Sequence, residues 1–131
     1  MIVDDSDADV LLVKAAISGG GFSCRIHRAK DGIEAMNYLR NHVTLPDLIL
    51  LDINMPRMNG IEMLKVMKAD HRLVRIPVVV MSTSEAERDI IASYSSGAAG
   101  FLAKPLDLEH LFKAVQDIEN YWFGVVHLPP H

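Results

Sequence analysis

The chain has 131 residues, half of them hydrophobic, and a formal net charge of −4. That length and apolar share suit one domain around one core, and mild acidity without a dense Lys/Arg block excludes a broad basic face for nucleic acid. Cys24 stands alone, which excludes an internal disulfide and reads as a small core residue in a reducing compartment, and no apolar run is long enough to span a bilayer.

Met1-Ile-Val3 is apolar and runs straight into Asp4-Asp5. It reads as a first strand entered part-way, shorter than the usual length of about five or six residues, with further native residues expected before it. These opening acids, where a signal peptide carries basic and apolar parts, predict a cytoplasmic protein. Ser6 to Asp9 has the form of a helix N-terminal box, with Ser6 capping free N–H groups and the acids favoured by the helix dipole. The helix continues through Val10, Leu11, Val13 and Ile17. Gly19-Gly20-Gly21 stops it by supplying left-handed conformations. No Lys-Ser/Thr pair enters a helix after these glycines, so they are not a phosphate loop. Phe22 to Ile26 then reads as a second strand.

Asp31-Gly32 turns into a second helix carrying Ile33, Met36, Tyr38 and Leu39 at helical spacing. Asp47 to Pro56 follows, an apolar run over Leu48 to Leu51 that ends in the carboxylate of Asp52 just before a proline. Such a run between turn residues suits a strand buried on both faces. The loop Asn54 to Gly60 leads to a third helix with its core stripe on Ile61, Met63, Leu64 and Met67. These methionines are core filler rather than a cofactor box. Ile76 to Met81 is a fourth buried strand, followed by the hydroxyls Ser82, Thr83 and Ser84. Ser84 with Glu87 forms a second N-terminal box, and Ile90, Ile91 and Tyr94 mark the buried stripe of a fourth helix closed by Gly97. Ala99 to Ala103 is a fifth strand ending in Lys104-Pro105. Asp107 caps a fifth helix carrying Leu108, Leu111, Phe112, Val115 and Ile118.

Five strands alternating with five helices predict a doubly wound α/β fold. Its parallel sheet has the flavodoxin-like order 2-1-3-4-5, helices on both faces and right-handed crossovers. Sites in such sheets lie beyond the carboxyl ends of the strands at the switch point between the first and third. There Asp4 and Asp5 should meet Asp52. Mutual repulsion of these carboxylates calls for a cation, and magnesium, a hard ion taking carboxylate oxygens, waters and substrate phosphate, is the natural one. The six histidines are scattered and offer no close-spaced metal pair. Asp5 is expected as the main metal ligand, Asp4 as a second or outer ligand, and Asn54 through its backbone carbonyl. Lys104 and Ser82 would hold phosphoryl oxygens while Asp52 attacks phosphorus and becomes an acyl phosphate.

Taken as a set, Asp4-Asp5-Ser6, Asp52-Ile-Asn-Met-Pro56 with Gly60, the strand from Pro77 to Ser82, and Phe101 with Lys104-Pro105 resemble the receiver domains of two-component response regulators (CheY-like). The resemblance runs from Val3 to the fifth helix. It implies Asp52 as the phosphorylation site, magnesium on Asp4, Asp5, Asp52 and the Asn54 carbonyl, Lys104 as phosphate partner and Ser82 as the switch hydroxyl. Thr83 competes for that last role, but adjacent strand residues face opposite ways, and the family spacing to Lys104 favours Ser82. It further implies Phe101 as the switch aromatic, a remodelled surface on the fourth helix, fifth strand and fifth helix, a cis Lys104–Pro105 peptide, and a sensor histidine kinase as partner. Asn120 to Pro130 looks similar to the tails of regulators that pair with bacteriophytochromes. Residues 121–131 are thus expected as a tail on a single receiver domain over 1–131. Trp122 and Phe123 serve there either as extra core or in a homodimer contact.

Two other readings compete. A haloacid-dehalogenase-type phosphatase also uses an aspartyl nucleophile, but needs a second aspartate two residues later, where this chain has Asn54. A receiver-like interaction module without phosphorylation would not need the full set of pocket residues.

Overall fold

A computed structural model describes residues 1–84 and 86–130. Its sheet consists of β1 (Ile2–Val3), β2 (Arg28–Ala29), β3 (Ile49–Leu51), β4 (Val78–Ser82) and β5 (Gly100–Ala103), all parallel in the order β2-β1-β3-β4-β5. The crossovers are α1 (Asp7–Ser18), α2 (Gly32–Asn41), α3 (Gly60–Lys68) and α4 (Glu87–Ser95), and α5 (Leu108–Glu119) follows β5. The expected doubly wound fold is therefore present.

Each sheet face has its own core. Met36 and Leu39 of α2 and Met63, Leu64 and Met67 of α3 pack with Val3, Ile49, Leu51, Val78 and Val80 on one side. On the other, Val10, Val13 and Ala16 of α1 and Leu111 and Val115 of α5 pack with Ile2, Leu50, Val79 and Met81. Alternate residues of β3 and β4 feed opposite cores, which is why these strands read as unbroken apolar runs. Capping follows the sequence at three helices. Ser6 Oγ accepts from Asp9 N–H (3.3 Å), Asp31 Oδ1 from Glu34 N–H (2.9 Å) and Asp107 Oδ1 from His110 N–H (2.8 Å).

The structure differs from the sequence reading at several places. The second strand is Arg28–Ala29 rather than 22–26, because the register sets Arg28 beside Ile2 and Ala29 beside Val3. Phe22 turns instead to Phe123, with ring centroids 6.0 Å apart. Gly19 ends α1 in a right-handed conformation (φ −81°), its N–H donating to Ala15 O. Ser84 does not box with Glu87. Its hydroxyl donates to Asp89 Oδ2 at 2.5 Å, and Ala86, which offers no side-chain cap, holds the N-cap position before α4. On that helix Ile91 and Tyr94 are exposed and Ser93 is buried, since α4 lies over the sheet's edge and needs only a narrow contact. Leu108 is likewise exposed, and Cys24 is half-buried. No cis peptide occurs among the described residues. Trans is the lower-energy isomer before proline by about 0.5–1 kcal/mol, and Lys104 reaches its carboxylate partners from it.

After α5 the chain makes a π-helical turn over Asn120–Val125. Trp122 and Phe123 pack against the α1/α5 core, so they serve as extra core, whereas Tyr121 and Val125 are exposed.

Candidate phosphoacceptor and metal site

The site forms because parallel neighbours end together. Val3 pairs with Leu51, so Asp4 and Asp52 leave the sheet side by side. Asp4 N–H donates to Ala29 O at 3.0 Å and Asp52 N–H to Val3 O at 2.9 Å, which extends the ladders by one bond beyond each strand. Ser82 pairs with Ala103, and Lys104 N–H donates to Ser82 O at 2.8 Å. One sheet edge thus gathers the acids, the hydroxyl and the lysine.

Carboxylate oxygens of Asp4, Asp5 and Asp52 lie within 4.8 Å of one another, with Asp4 and Asp52 buried and Asp5 exposed. Asp4 is already engaged, Oδ1 accepting from Ser6 N–H (2.9 Å) and Oδ2 from Lys104 Nζ (2.7 Å). Lys104 Nζ also donates to Asp9 Oδ2 at 2.9 Å and stands 3.9 Å from Asp52 Oδ2. Burial pushes the Asp52 carboxyl up to about 6. Lys104 and a hydrogen bond from Asn54 N–H oppose the shift, and Asp4 and Asp5 add to it. Burial alone would lower the Lys104 ammonium, but its hydrogen bonds to Asp4 and Asp9 outweigh that and hold it above its ordinary value.

The loop after Asp52 is held from two sides. Gly60 N–H donates to Ile53 O at 3.0 Å, and a Cβ on Gly60 would collide with the Asp52 carbonyl. Glycine is required there by close approach rather than by a turn. Arg57 adopts φ +63°, a left-handed conformation uncommon outside glycine. Its Nε donates to buried Asp31 Oδ2 at 2.8 Å, which ties the loop to the start of α2.

Ser82 is fully buried and Thr83 exposed, as strand alternation requires of neighbours at a strand end. Phe101 is half-buried against the α2/α3 core, and its N–H donates to Tyr94 Oη at 3.2 Å. Three carboxylates, one of them open to solvent, and only one lysine among them form a donor set suited to a hard divalent cation. Asn54 presents its N–H to Asp52. Sequence reasoning missed the Asp9–Lys104 pair, the Arg57–Asp31 tie and the Tyr94–Phe101 bond. Asp9 was visible only as a capping residue.

Residues 1–116 match the response regulator receiver domain, and the chain belongs to that family. It is a response regulator receiver protein of two-component signalling. Response regulator Rcp1 of Synechocystis is 40% identical over 134 residues, covering 98% of this chain and 91% of that protein. A probable methanogenesis regulatory protein, FilR2 of Methanothrix harundinacea, is 38% identical over 95% of this chain and 83% of its own length. Among solved structures, the phosphorylated cyanobacterial phytochrome response regulator RcpA superposes with a TM-score of 0.93 at 40% identity, covering 98% of this chain and 96% of the other. A Mn(2+)-bound form of Rcp1 gives 0.91 at 40% identity, with the same coverage of both chains. Among the described residues no helix is long and apolar enough to cross a membrane.

Proposed function

We propose that this protein accepts a phosphoryl group on Asp52 from the phosphohistidine of a sensor kinase, with a magnesium ion bound by Asp4, Asp5, Asp52 and the Asn54 carbonyl. The convergence of three carboxylates with Lys104 at one sheet edge carries this reading. A carboxylate oxygen of Asp52 attacks phosphorus in line, the P–O bond forms as the P–N bond breaks, and the imidazole leaves with its bonding electron pair. When bound, the cation neutralises the carboxylates and the phosphoryl oxygens. Lys104 donates to a phosphoryl oxygen, and the Ser82 hydroxyl donates to another. Hydrolysis of the acyl phosphate by water, also within this site, returns Asp52.

The local change reaches the surface through β4 and β5. Drawing Ser82 toward the phosphoryl group opens space beside Phe101, whose half-buried ring moves inward and remakes the α4–β5–α5 face. Similarity to RcpA, a cyanobacterial phytochrome response regulator, supports a phytochrome-class histidine kinase as the phosphodonor, and the protein is read as cytoplasmic. Residues 1–131 act as one receiver unit, with 121–131 as a tail that contributes to a homodimer contact; nucleic acid and membrane are not partners.

The test is intact mass after incubation with magnesium and acetyl phosphate. The parent should gain one base-labile phosphoryl adduct, and Asp52→Asn none. An unmodified parent, or an equal adduct on the variant, would sink the assignment. Transfer from a phosphorylated bacteriophytochrome kinase, but not from an unrelated kinase, checks the partner.

A further inference from the structure

We propose that Asp9 is a positioning residue, a resting latch that holds Lys104 away from Asp52 until a phosphoryl group arrives. The proposal rests on the reading that Asp52 takes the phosphate.

The geometry is specific. The Lys104 ammonium lies 2.7 Å from Asp4 and 2.9 Å from Asp9, both full hydrogen bonds, but 3.9 Å from Asp52, beyond hydrogen-bonding range. Lys104 thus bonds two carboxylates at rest, and neither is that of Asp52. Its side chain is only 11% exposed, so these partners replace water that it has lost.

Asp9 is placed for this role by α1. Ser6 caps the helix by accepting from Asp9 N–H, yet Ser6 N–H donates to Asp4 Oδ1, so the reciprocal half of a capping box is taken by another residue. The Asp9 carboxylate is released from capping and spends its Oδ2 on Lys104. Asp7, two residues earlier, pairs with Arg28 at 2.8 Å and fastens the same helix turn to β2. Asp9 is therefore carried on an anchored turn and reaches Lys104 from the start of α1, whereas Asp4 and Asp52 come from the sheet edge.

The two anionic partners differ in what they can do later. Asp4 is buried and belongs to the carboxylate cluster, whereas Asp9 is 40% exposed and lies outside it. When a phosphoryl group adds charge at Asp52, Lys104 can leave Asp9 to water at little cost and keep its pivot on Asp4. Asp9 thus sets the resting position of Lys104, and with it how readily the lysine engages the phosphoryl oxygens.

Fluoroberyllate, a phosphoryl mimic, with magnesium provides the test on the full chain. Affinity is measured calorimetrically for the parent, Asp9→Asn, Lys104→Met and the double variant. Asp9→Asn should bind about two- to fivefold more tightly, the span of a partly exposed ion pair, and Asp9→Glu should restore the parent value. The gain should vanish in the Lys104→Met background. An equal gain in both backgrounds would show only relief of repulsion on an anion, and no gain in Asp9→Asn would show a structural tether; either overturns the latch. If Lys104→Met abolishes binding, the Lys104 Nζ resonance decides: it must shift on Asp9→Asn in the resting protein, and an unmoved resonance overturns the proposal. A parent that binds no fluoroberyllate defeats the Asp52 reading and this one together, whereas tight parent binding without an Asp9 effect defeats this one alone.

Discussion

As the proposed nucleophile, Asp52 has to be ionised to attack, and yet it is buried among other acids. Burial raises its pKa to about 6, well above the ordinary carboxylate value near 3.9. A carboxyl whose pKa is raised by folding favours the folded state while protonated, and loses that contribution as pH climbs from about 4 through about 6. In metal-free buffer the melting temperature should therefore fall over this interval. Asp52→Asn should remove part of the slope and raise the midpoint at pH 7.5 by about 2–5 °C, the scale expected for about 1 kcal/mol in a domain of this size. Calorimetry across pH in a chelator checks it; an unchanged slope would mean that burial does not govern Asp52. Glu119 shows the same physics away from the carboxylate cluster. Its carboxylate is buried with no hydrogen-bond partner among the described residues, packs against Gly20, and is raised by burial.

At the scale of elements, the strand ends were legible because a parallel sheet makes them predictable. Once the order 2-1-3-4-5 is accepted, Asp4, Asp52, Ser82 and Lys104 can only be at one edge. Elements that depend on packing were less legible. β2 lies after the predicted segment because its register with β1 sets it, and α4 exposes Ile91 and Tyr94 because an edge helix buries little. Gly60 joins helix to site. A Gly60→Ala variant places a methyl against the Asp52 carbonyl and the Ile53 Cα, so it should destabilise the fold by about 1–3 kcal/mol, the range for overpacking. It should also slow acetyl-phosphate labelling of Asp52 at temperatures where the variant remains folded. Denaturant melts with parallel intact-mass time courses measure both; parent-like values in each would show that the contact relaxes freely.

For the whole molecule, the proposed homodimer contact turns on what the tail exposes. Trp122 and Phe123 are committed to the α1/α5 core, which leaves Tyr121 and Val125 as the exposed apolar groups of the π-helical turn. If the tail forms the proposed homodimer contact, light scattering should show a mass rising with concentration. Replacing Tyr121 and Val125 by serine should then return it to the monomer, with the melting temperature nearly unchanged. A parent that stays monomeric at all concentrations would remove the tail from the dimer.

The sequence by itself determined the alternation of elements and the acids, hydroxyl and lysine at the strand ends, because local periodicity and strand-end placement do not depend on side-chain packing; the sheet order was implied by the resemblance to receiver domains. Tertiary structure alone decided which carboxylates Lys104 bonds, that Asp9 turns from capping to Lys104, that Arg57 reaches Asp31, and that Glu119 is buried beneath a glycine. These are contacts between elements distant in the chain, set by how helices seat on the sheet. Neither composition nor spacing records that angle.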